Sequence, residues 1–264
     1  MIVLAHVSDV HIDGSDRNTE RTAHVMSYVE GLDVSAVIVT GDIADNGAED
    51  EYTIARAALK TRHPSIICPG NHDSREPFRK VMLDSDAADG GAGDPPSSGV
   101  LGGASSVVEP INQVLRIPGA TIILCDSSIP GRAEGRLDDT TLAWLDDTLA
   151  AETGPVFVGM HHPATALGIP YVDGIGLREP ERYAAILERH PHVVATLVGH
   201  AHTGAATTFA NRPHLVAPGV VSTGLPPFEC TTQPPVSLDL PPALALHIYD
   251  NGQLTTHYRA LPLP

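Results

Sequence analysis

Short apolar runs, each followed by polar residues that can bind a metal, constrain the fold of this chain more than any other feature. The five runs lie at residues 2–7, 36–39, 65–68, 155–159 and 193–198. Patterns typical of helices separate or follow them, at residues 19–32, 48–61, 138–149 and 179–188. Strand, polar loop and helix in alternation predict βαβ units, and therefore a sheet that starts with parallel strands.

The turn after the third run places an amide, an imidazole and a carboxylate side by side, at Asn71, His72 and Asp73. Asn71 can offer a neutral oxygen to a hard cation, and His72 can carry a proton to a leaving group. Asp73 can fix the orientation of the imidazole through a hydrogen bond. Taken alone, these residues slightly favour an ordinary polar turn, but the ends of the other strands reverse that interpretation.

Side chains that bind metals recur at the carboxyl ends of all five runs. They are Asp9, His11, Asp42, Asn71, His161, His200 and His202. The residues of the pairs Asp9–His11 and His200–His202 are two apart, and an extended chain would place both side chains of a pair on one face. Oxygen and imidazole donors without thiolate suit Mn, Fe, Zn or Co. Seven donors are too many for one tetrahedral ion and fit two ions that share a carboxylate.

We expect a single domain over residues 1–264, because the later motifs complete the same site as the earlier ones. Residues 84–106 are mainly Asp, Gly, Ala, Ser and Pro, a composition that buries little apolar surface and predicts a flexible insert. The Pro-rich residues 226–241 predict an ordered but irregular surface loop. Near the end of the chain, antiparallel strands with a hairpin turn at Asp250-Asn251-Gly252 are expected at residues 214–217, 243–249 and 253–260.

Composition argues against several partners and compartments. Thirty-two acidic residues against sixteen basic ones give a net charge of −16, which disfavours a nucleic-acid or anionic-membrane partner. The cysteines Cys68, Cys125 and Cys230 form no close pair, so neither a disulfide framework nor a thiolate site is expected, and a reduced cytosol fits. No signal-peptide pattern and no membrane-spanning apolar run is present, which predicts a cytoplasmic protein without a transmembrane segment. A homodimer is left open.

Five blocks of the sequence resemble, in order, the signature blocks of the calcineurin-like metallophosphoesterase superfamily. They are Asp9-Val10-His11, Gly41-Asp42, Gly70-Asn71-His72-Asp73, His161-His162-Pro163 and Gly199-His200-Ala201-His202, within roughly residues 1–220. Less specific similarities favour the branch that contains class III cyclic-nucleotide phosphodiesterases and glycerophosphodiesterases. These lie at Asp126-Ser127, Gly135-Arg136-Leu137 and Trp144-Leu145.

The resemblance implies a four-layer α/β/β/α sandwich of two mixed sheets, with a dinuclear metal site at one edge. The implied ligands of the first ion are Asp9, His11 and His202, and those of the second are Asn71, His161 and His200. Asp42 would bridge the two ions, and His72 would lie on the side of the leaving group. His162 matches a position that is normally not a direct ligand in the family.

Two ions held in this way imply hydrolysis of a phosphodiester by in-line attack of a hydroxide that bridges them, with His72 protonating the departing alkoxide. We expect a small substrate, such as a 3',5'-cyclic nucleotide or a glycerophosphodiester. The enzymatic alternative is a phosphomonoesterase acting on nucleotides or sugar phosphates, while a nuclease is disfavoured by the lack of a basic cluster. A non-catalytic scaffold of the same fold would be expected to lose ligands, and all seven are present here.

Overall fold

The computed structural model describes residues 1–83 and 109–263, so the expected insert at 84–106 lies outside the described residues. The strands, in chain order, are β1 (Ile2–Val7), β2 (Ala36–Thr40), β3 (Ser65–Cys68), β4 (Gln113–Ile117), β5 (Ala120–Leu124), β6 (Gly135–Arg136), β7 (Val156–Gly159), β8 (Leu177–Arg178), β9 (Val193–Val198), β10 (Ala205–Phe209), β11 (Arg212–Val216), β12 (Thr223–Gly224), β13 (Val236–Ser237), β14 (Ala243–Asp250) and β15 (Gln253–Ala260). The α-helices are α1 (Asp16–Glu30), α2 (Glu49–Ala58), α3 (Arg75–Phe78), α4 (Asp139–Ala151), α5 (Pro170–Asp173) and α6 (Pro180–Arg189). A π-helical turn, Arg79–Leu83, continues α3.

Two large sheets, both mixed, organise these strands. The first has the order β15-β14-β1-β2-β3, in which β1, β2 and β3 are parallel and β14 and β15 are antiparallel. The second has the order β10-β11-β9-β7-β5-β4, with antiparallel strands only at its edges. Short pairs, β12-β13 and β6-β8, lie outside the large sheets. The parallel start predicted from the sequence is therefore confirmed.

Three apolar clusters stack the two sheets and their helices into four layers. One cluster lies between the sheets and joins residues such as Leu4 and Ile38 of the first sheet to Ile122 and Phe157 of the second. A second cluster packs α1 and α2 on the outer face of the first sheet, and a third packs α4 and α6 on the outer face of the second. This arrangement confirms the α/β/β/α sandwich.

Strand β2 shows why a continuous apolar run suits this position. All five of its residues are buried. Ala36 and Ile38 face the second sheet, while Val37 and Val39 face the helices, so neither face of the strand meets water. Successive side chains of a strand point to opposite faces, and a strand covered on both sides therefore needs apolar residues throughout.

Several helix boundaries differ from the prediction because local capping decides them. Helix α1 begins three residues before the expected start at residue 19, since the side chain of Ser15 accepts a hydrogen bond from the backbone N–H of Asn18. Asp138 caps α4 in the same way, through the backbone N–H of Thr141. A capping residue satisfies an N–H group that has no partner within the helix, and this fixes the first turn.

The C-terminal strands match the prediction in part. The two-residue turn between β14 and β15 has positive φ at Asn251 and Gly252, which confirms the predicted hairpin. The expectation that residues 214–217 are antiparallel to their neighbours is wrong for one side, because β11 runs antiparallel to β10 but parallel to β9. Strand β4 was not predicted, since it is a short edge strand that begins with the polar Gln113 and whose apolar residues are interrupted by the exposed Arg116.

Every helix among the described residues is too short or too polar to cross a lipid bilayer.

Candidate metal centre

The carboxyl ends of five strands meet at one edge of the sandwich. Strands β1, β2 and β3 are neighbours in the first sheet, and β7 and β9 are neighbours in the second. The loops that follow these strands bring together all seven side chains that the sequence singles out as metal donors. Those side chains are Asp9, His11, Asp42, Asn71, His161, His200 and His202.

The first half of the site contains Asp9, His11, Asp42 and His202, whose donor atoms lie within 4.8 Å of one another. The Nε2 atoms of His11 and His202 are 3.1 Å apart. The Nε2 atom of His11 is 3.3 Å from Oδ2 of Asp42, and that of His202 is 3.4 Å from Oδ1 of Asp9. These four side chains therefore converge on a common volume.

The second half is arranged around Nε2 of His161. This atom is 3.2 Å from Oδ1 of Asn71 and 3.1 Å from Nδ1 of His200. It is also 3.3 Å from Oδ2 of Asp42. The same carboxylate oxygen of Asp42 therefore lies at equal distances from His11 and His161 and connects the two halves.

The donor set has the chemistry of a cation site, because lone pairs face lone pairs. The Nδ1–H of His161 donates to the carbonyl oxygen of Thr40 at 2.7 Å, which leaves a lone pair on Nε2. That lone pair faces the side-chain oxygens of Asn71 and Asp42, both of which are acceptors. The Nδ1 of His11 is likewise engaged, by Oδ1 of Asp45 at 2.9 Å. The residues present thus fit metal ions, since ligating histidines usually donate their other N–H to a protein acceptor.

The pKa values of the site residues also indicate a site for cations. Burial lowers the pKa of His161, but the adjacent Asp42 more than offsets this effect and the pKa rises to about 9. Burial likewise opposes ionisation of Asp42, yet His161 and His11 hold the pKa of its carboxyl well below the usual value. Burial lowers the pKa of His200 and His202, which keeps both imidazoles neutral and able to offer lone pairs. The site therefore favours positive charge beside Asp42. Without an ion, a proton on Nε2 of His161 supplies this charge; a metal ion would displace that proton and bind the lone pair of the neutral ring.

The backbone brings these side chains together through a conformation that their spacing in the sequence does not predict. The prediction that Asp9–His11 and His200–His202 lie on extended chain is wrong, because all four residues have positive φ, between 36° and 68°. Asp42 also has a positive φ, of 50°. Residues other than glycine rarely adopt this conformation, and it clusters at functional sites where the surrounding structure imposes it. The backbone is therefore in the left-handed conformation at these donor residues, and this conformation directs their side chains towards the centre of the cluster.

Two glycines of the motifs are required by close approach. A Cβ at Gly41, whose φ is 85°, would lie 2.5 Å from Nδ1 of His161. A Cβ at Gly70 would collide with the side chain and backbone of Asp42. Only glycine permits β2 and β3 to end this close to the donors.

The expected role of Asp73 in orienting His72 is wrong. The carboxylate of Asp73 accepts hydrogen bonds from the backbone N–H groups of Ile43, Ala44 and Gly70. It also accepts one from the hydroxyl of Tyr52 at 2.9 Å. Because these four donors already saturate it, Asp73 ties the loop after β2 to the loop after β3.

Asp45 takes the place that was expected for Asp73. The Nδ1–H of His72 donates to the backbone carbonyl of Asp45 at 2.8 Å, and the backbone N–H of His72 donates to Oδ1 of Asp42 at 3.0 Å. The side chain of Asp45 meanwhile holds His11. Asp45 was not predicted as a site residue, because it lies three residues beyond Asp42, away from any strand end. Its position in Gly41-Asp42-Ile43-Ala44-Asp45 is the signal that could have drawn attention to it.

His162 is bound by the protein at both ring nitrogens. Its Nδ1 is 2.8 Å from Oγ of Ser127, and its Nε2–H donates to the carbonyl of Ala133 at 3.2 Å. The ring therefore has no free lone pair to offer an ion, although it lies beside His161 and His200. This agrees with the non-ligand position implied by the resemblance.

We expect Asp45→Ala to weaken metal binding, because His11 loses the acceptor that fixes its ring. Loss of such a partner reduces metal affinity or activity by about 10- to 100-fold. Calorimetric titration of the metal-free protein with Mn²⁺ would measure the effect. Asp147→Ala, at an exposed position on α4, is the matched control and should bind as the wild type does. Unchanged affinity in Asp45→Ala would show that His11 does not need this carboxylate.

Comparisons with known proteins agree with this geometry. A family model described as calcineurin-like phosphoesterase matches residues 2–204. The glycerophosphodiester phosphodiesterase GpdQ of Enterobacter lignolyticus is 30% identical over 98% of this chain and 91% of that protein. The 3',5'-cyclic adenosine monophosphate phosphodiesterase CpdA of Pseudomonas aeruginosa is 28% identical over 76% of this chain and 70% of that one. A dimetal phosphatase from Danio rerio has a similar fold, with a TM-score of 0.69 at 17% identity over 98% of this chain and 96% of that chain.

Proposed function

We propose that this chain, which belongs to the calcineurin-like phosphoesterase family, hydrolyses small phosphodiesters at the cluster of seven donors. The observation that carries the proposal is the position of Asp42, whose Oδ2 lies 3.3 Å from Nε2 of both His11 and His161. A buried carboxylate between two sets of donors suits a pair of cations that share one ligand. The charge of Asp42 offsets the repulsion between them.

We assign one set of donors to each ion. Asp9, His11 and His202 would hold the first ion, Asn71, His161 and His200 the second, and Asp42 both. The native pair would come from Mn, Fe, Zn and Co, since the set combines imidazole with oxygen donors and lacks thiolate. When bound, two such ions activate water at neutral pH and neutralise charge on the phosphoryl oxygens.

The remaining chemistry belongs to side chains of this protein. His72 is 41% exposed at its side chain, and its Nδ1 is occupied by the carbonyl of Asp45. Nε2 is then the ring nitrogen that can meet a substrate. A proton on Nε2 can pass to the departing alkoxide oxygen, as a general acid requires. The backbone N–H of His72 donates to Asp42, and this bond fixes the position of His72 relative to the donor cluster.

A cavity bordered by the segment after Gly224 supports a substrate with an organic group. It has a volume of about 290 Å³ and lies between α5 and the loop that joins β12 to β13, with Ile169, Tyr171 and Leu225 in its lining. The loop begins directly after Gly224, whose N–H donates to the carbonyl of the donor residue His202 at 3.0 Å. None of the described lining residues is charged, so the cavity suits the uncharged organic part of a diester better than a second phosphate. The relatives named as phosphodiesterases favour the same substrate class.

A pair of aryl substrates tests this function directly. Bis(4-nitrophenyl) phosphate and 4-nitrophenyl phosphate share a leaving group and differ in whether phosphorus carries a second ester. We expect the metal-reconstituted protein to hydrolyse the diester with the higher kcat/KM, and then to act on cyclic nucleotides or glycerophosphodiesters. Preference for the monoester would establish the phosphomonoesterase alternative. No turnover with two bound ions would indicate a scaffold.

A further inference from the structure

A stripe of polar side chains crosses the apolar interface between the two sheets. His6 and Ser8 of the β1 segment, Thr40 of β2 and His247 of β14 are each at most 1% exposed. Their neighbours in this interface include Leu4, Ile38 and Ile122, all fully buried. Polar groups in such surroundings carry a desolvation penalty unless every one of them is hydrogen-bonded.

The stripe is a continuous hydrogen-bonded chain. Nδ1 of His247 is 2.9 Å from the hydroxyl of Thr256, and its Nε2 is 3.1 Å from Nδ1 of His6. Nε2 of His6 is 2.8 Å from the hydroxyl of Thr40, which in turn donates to Oγ of Ser8 at 3.0 Å. The hydroxyl of Ser8 donates to the carbonyl oxygen of Thr40 at 2.9 Å.

One direction of donation satisfies the whole chain. Because the hydroxyl proton of Thr40 goes to Ser8, its oxygen accepts from Nε2–H of His6. Nδ1 of His6 then accepts from Nε2–H of His247, whose Nδ1 accepts from Thr256. Both imidazoles are neutral in this arrangement. Burial supports this state, since it lowers the pKa of His247 to about 3. A fully satisfied network of this kind is rigid.

The chain ends at the metal centre. The carbonyl oxygen of Thr40, which accepts from Ser8, also accepts from Nδ1–H of His161 at 2.7 Å. Thr40 precedes Gly41-Asp42, and Ser8 precedes Asp9. One network therefore contacts His161 directly and includes residues that lie next to the segments with Asp9 and Asp42. An apolar replacement of such a network is often neutral or stabilising, so stability alone does not account for it.

We propose that His6, Thr40, Ser8 and His247 are positioning residues, which hold the carbonyl of Thr40 so that His161 presents the lone pair of Nε2 to the second ion. The proposal rests on the proposed function for the identity of the metal centre. It extends that function by assigning a role to residues up to five hydrogen bonds along this chain from the donor His161. The most distant of them, His247, lies on a strand that no motif follows.

Thr40→Val and Thr40→Ser form the central comparison. Valine has nearly the shape of threonine but lacks the hydroxyl, whereas serine retains it. We expect Thr40→Val to lower the affinity for one of two Mn²⁺ ions by about 10- to 100-fold, and Thr40→Ser to restore most of it. Thr196→Val is the matched control, because Thr196 is also fully buried and its hydroxyl also contacts an imidazole, that of His214 at 2.6 Å. It should bind both ions normally.

A second measurement does not depend on metal. In the metal-free protein, the Nδ1–H proton of His161 should exchange slowly with water, because it is bonded to the carbonyl of Thr40. NMR should show faster exchange in Thr40→Val and wild-type exchange in Thr40→Ser and Thr196→Val. The exchange measurement distinguishes failure of the positioning proposal from failure of the proposed function. A wild-type protein that binds fewer than two ions would contradict the proposed function, whereas the exchange rates would still test the positioning proposal.

Wild-type ion affinity together with unchanged exchange in Thr40→Val would overturn the proposal. A lowered melting temperature without any change in these two quantities would do the same, because it would mean a structural role only. If Thr40→Val does not fold, His247→Phe takes its place, at a position two side chains away from Thr40. It should shift both quantities in the same direction by a smaller amount, and no shift in either would again overturn the proposal.

Discussion

Asp42→Asn is expected to abolish nearly all phosphodiesterase activity and to remove at least one of the two ions, while the fold survives. Asparagine has the size of aspartate and can still accept the hydrogen bond from the backbone of His72. It lacks the negative charge at the one oxygen that lies between His11 and His161. Two cations held close together without that charge repel each other in a site that excludes most water.

The expected loss is large because the charge is buried. Asp42 is 2% exposed, and removal of one member of a buried set of charges costs about 3–5 kcal/mol. At about 1.4 kcal/mol for each factor of ten, an affinity loss of at least about 100-fold follows. Metal content per chain, measured by elemental analysis after dialysis, should fall below two. The circular dichroism spectrum should stay that of the wild type.

Asp147→Asn is a suitable control for this prediction, since it makes the same change at an exposed position of α4. It should retain both ions and full turnover. Two ions per chain and wild-type turnover in Asp42→Asn would rule out the bridging assignment. The two halves of the site would then have to bind their ions independently.

The sequence was sufficient to predict that the candidate donors converge at one edge, because strand ends are easy to recognise. The runs at β1, β2, β3, β7 and β9 are mainly apolar and end in polar residues, and parallel strands place their carboxyl ends at one edge. The convergence of Asp9, Asp42 and His161 follows from that topology alone. Both sheets contribute donors at the same edge, so this convergence could be predicted without knowing how far apart the sheets pack.

Local backbone geometry could not be predicted in the same way. The spacing of Asp9 and His11 suggested extended chain, yet both residues are left-handed. This conformation is imposed by tertiary contacts, such as the bond from the N–H of His11 to the carbonyl of Asp42. The misassigned role of Asp73 has the same origin. Sequence adjacency placed it beside His72, whereas its carboxylate turns towards the backbone of Ile43 and Ala44.

Residues that act on the donors through other residues were also invisible in the sequence. Asp45, Thr40 and Ser222 each bond to the ring nitrogen of a donor histidine that faces away from the centre. Ser222 lies twenty residues from its partner His202, and no spacing rule connects them. Such contacts depend on how loops fold back over the site, and this is decided by packing that no short motif records.

His72→Ala should retain both ions but lose activity to an extent that depends on the leaving group. The substitution keeps the backbone N–H that bonds Asp42, and the side chain it removes is bonded to Asp45 rather than to the cluster around Asp42. An alkoxide leaves with a high conjugate-acid pKa and needs a proton. General acid assistance of this kind contributes about 100- to 10,000-fold. Natural diesters should therefore suffer a loss in this range.

An aryl diester provides the contrast, since 4-nitrophenolate departs as a stable anion and needs little protonation. Its kcat/KM should fall much less in His72→Ala than that of a cyclic nucleotide or a glycerophosphodiester. Metal content must be measured on the same samples, because loss of an ion would slow both substrates together. If both substrates lose the same factor while two ions stay bound, His72 is not the acid. Its ring then contributes through charge or hydrogen bonding to the phosphoryl group, and the leaving oxygen must take its proton from water.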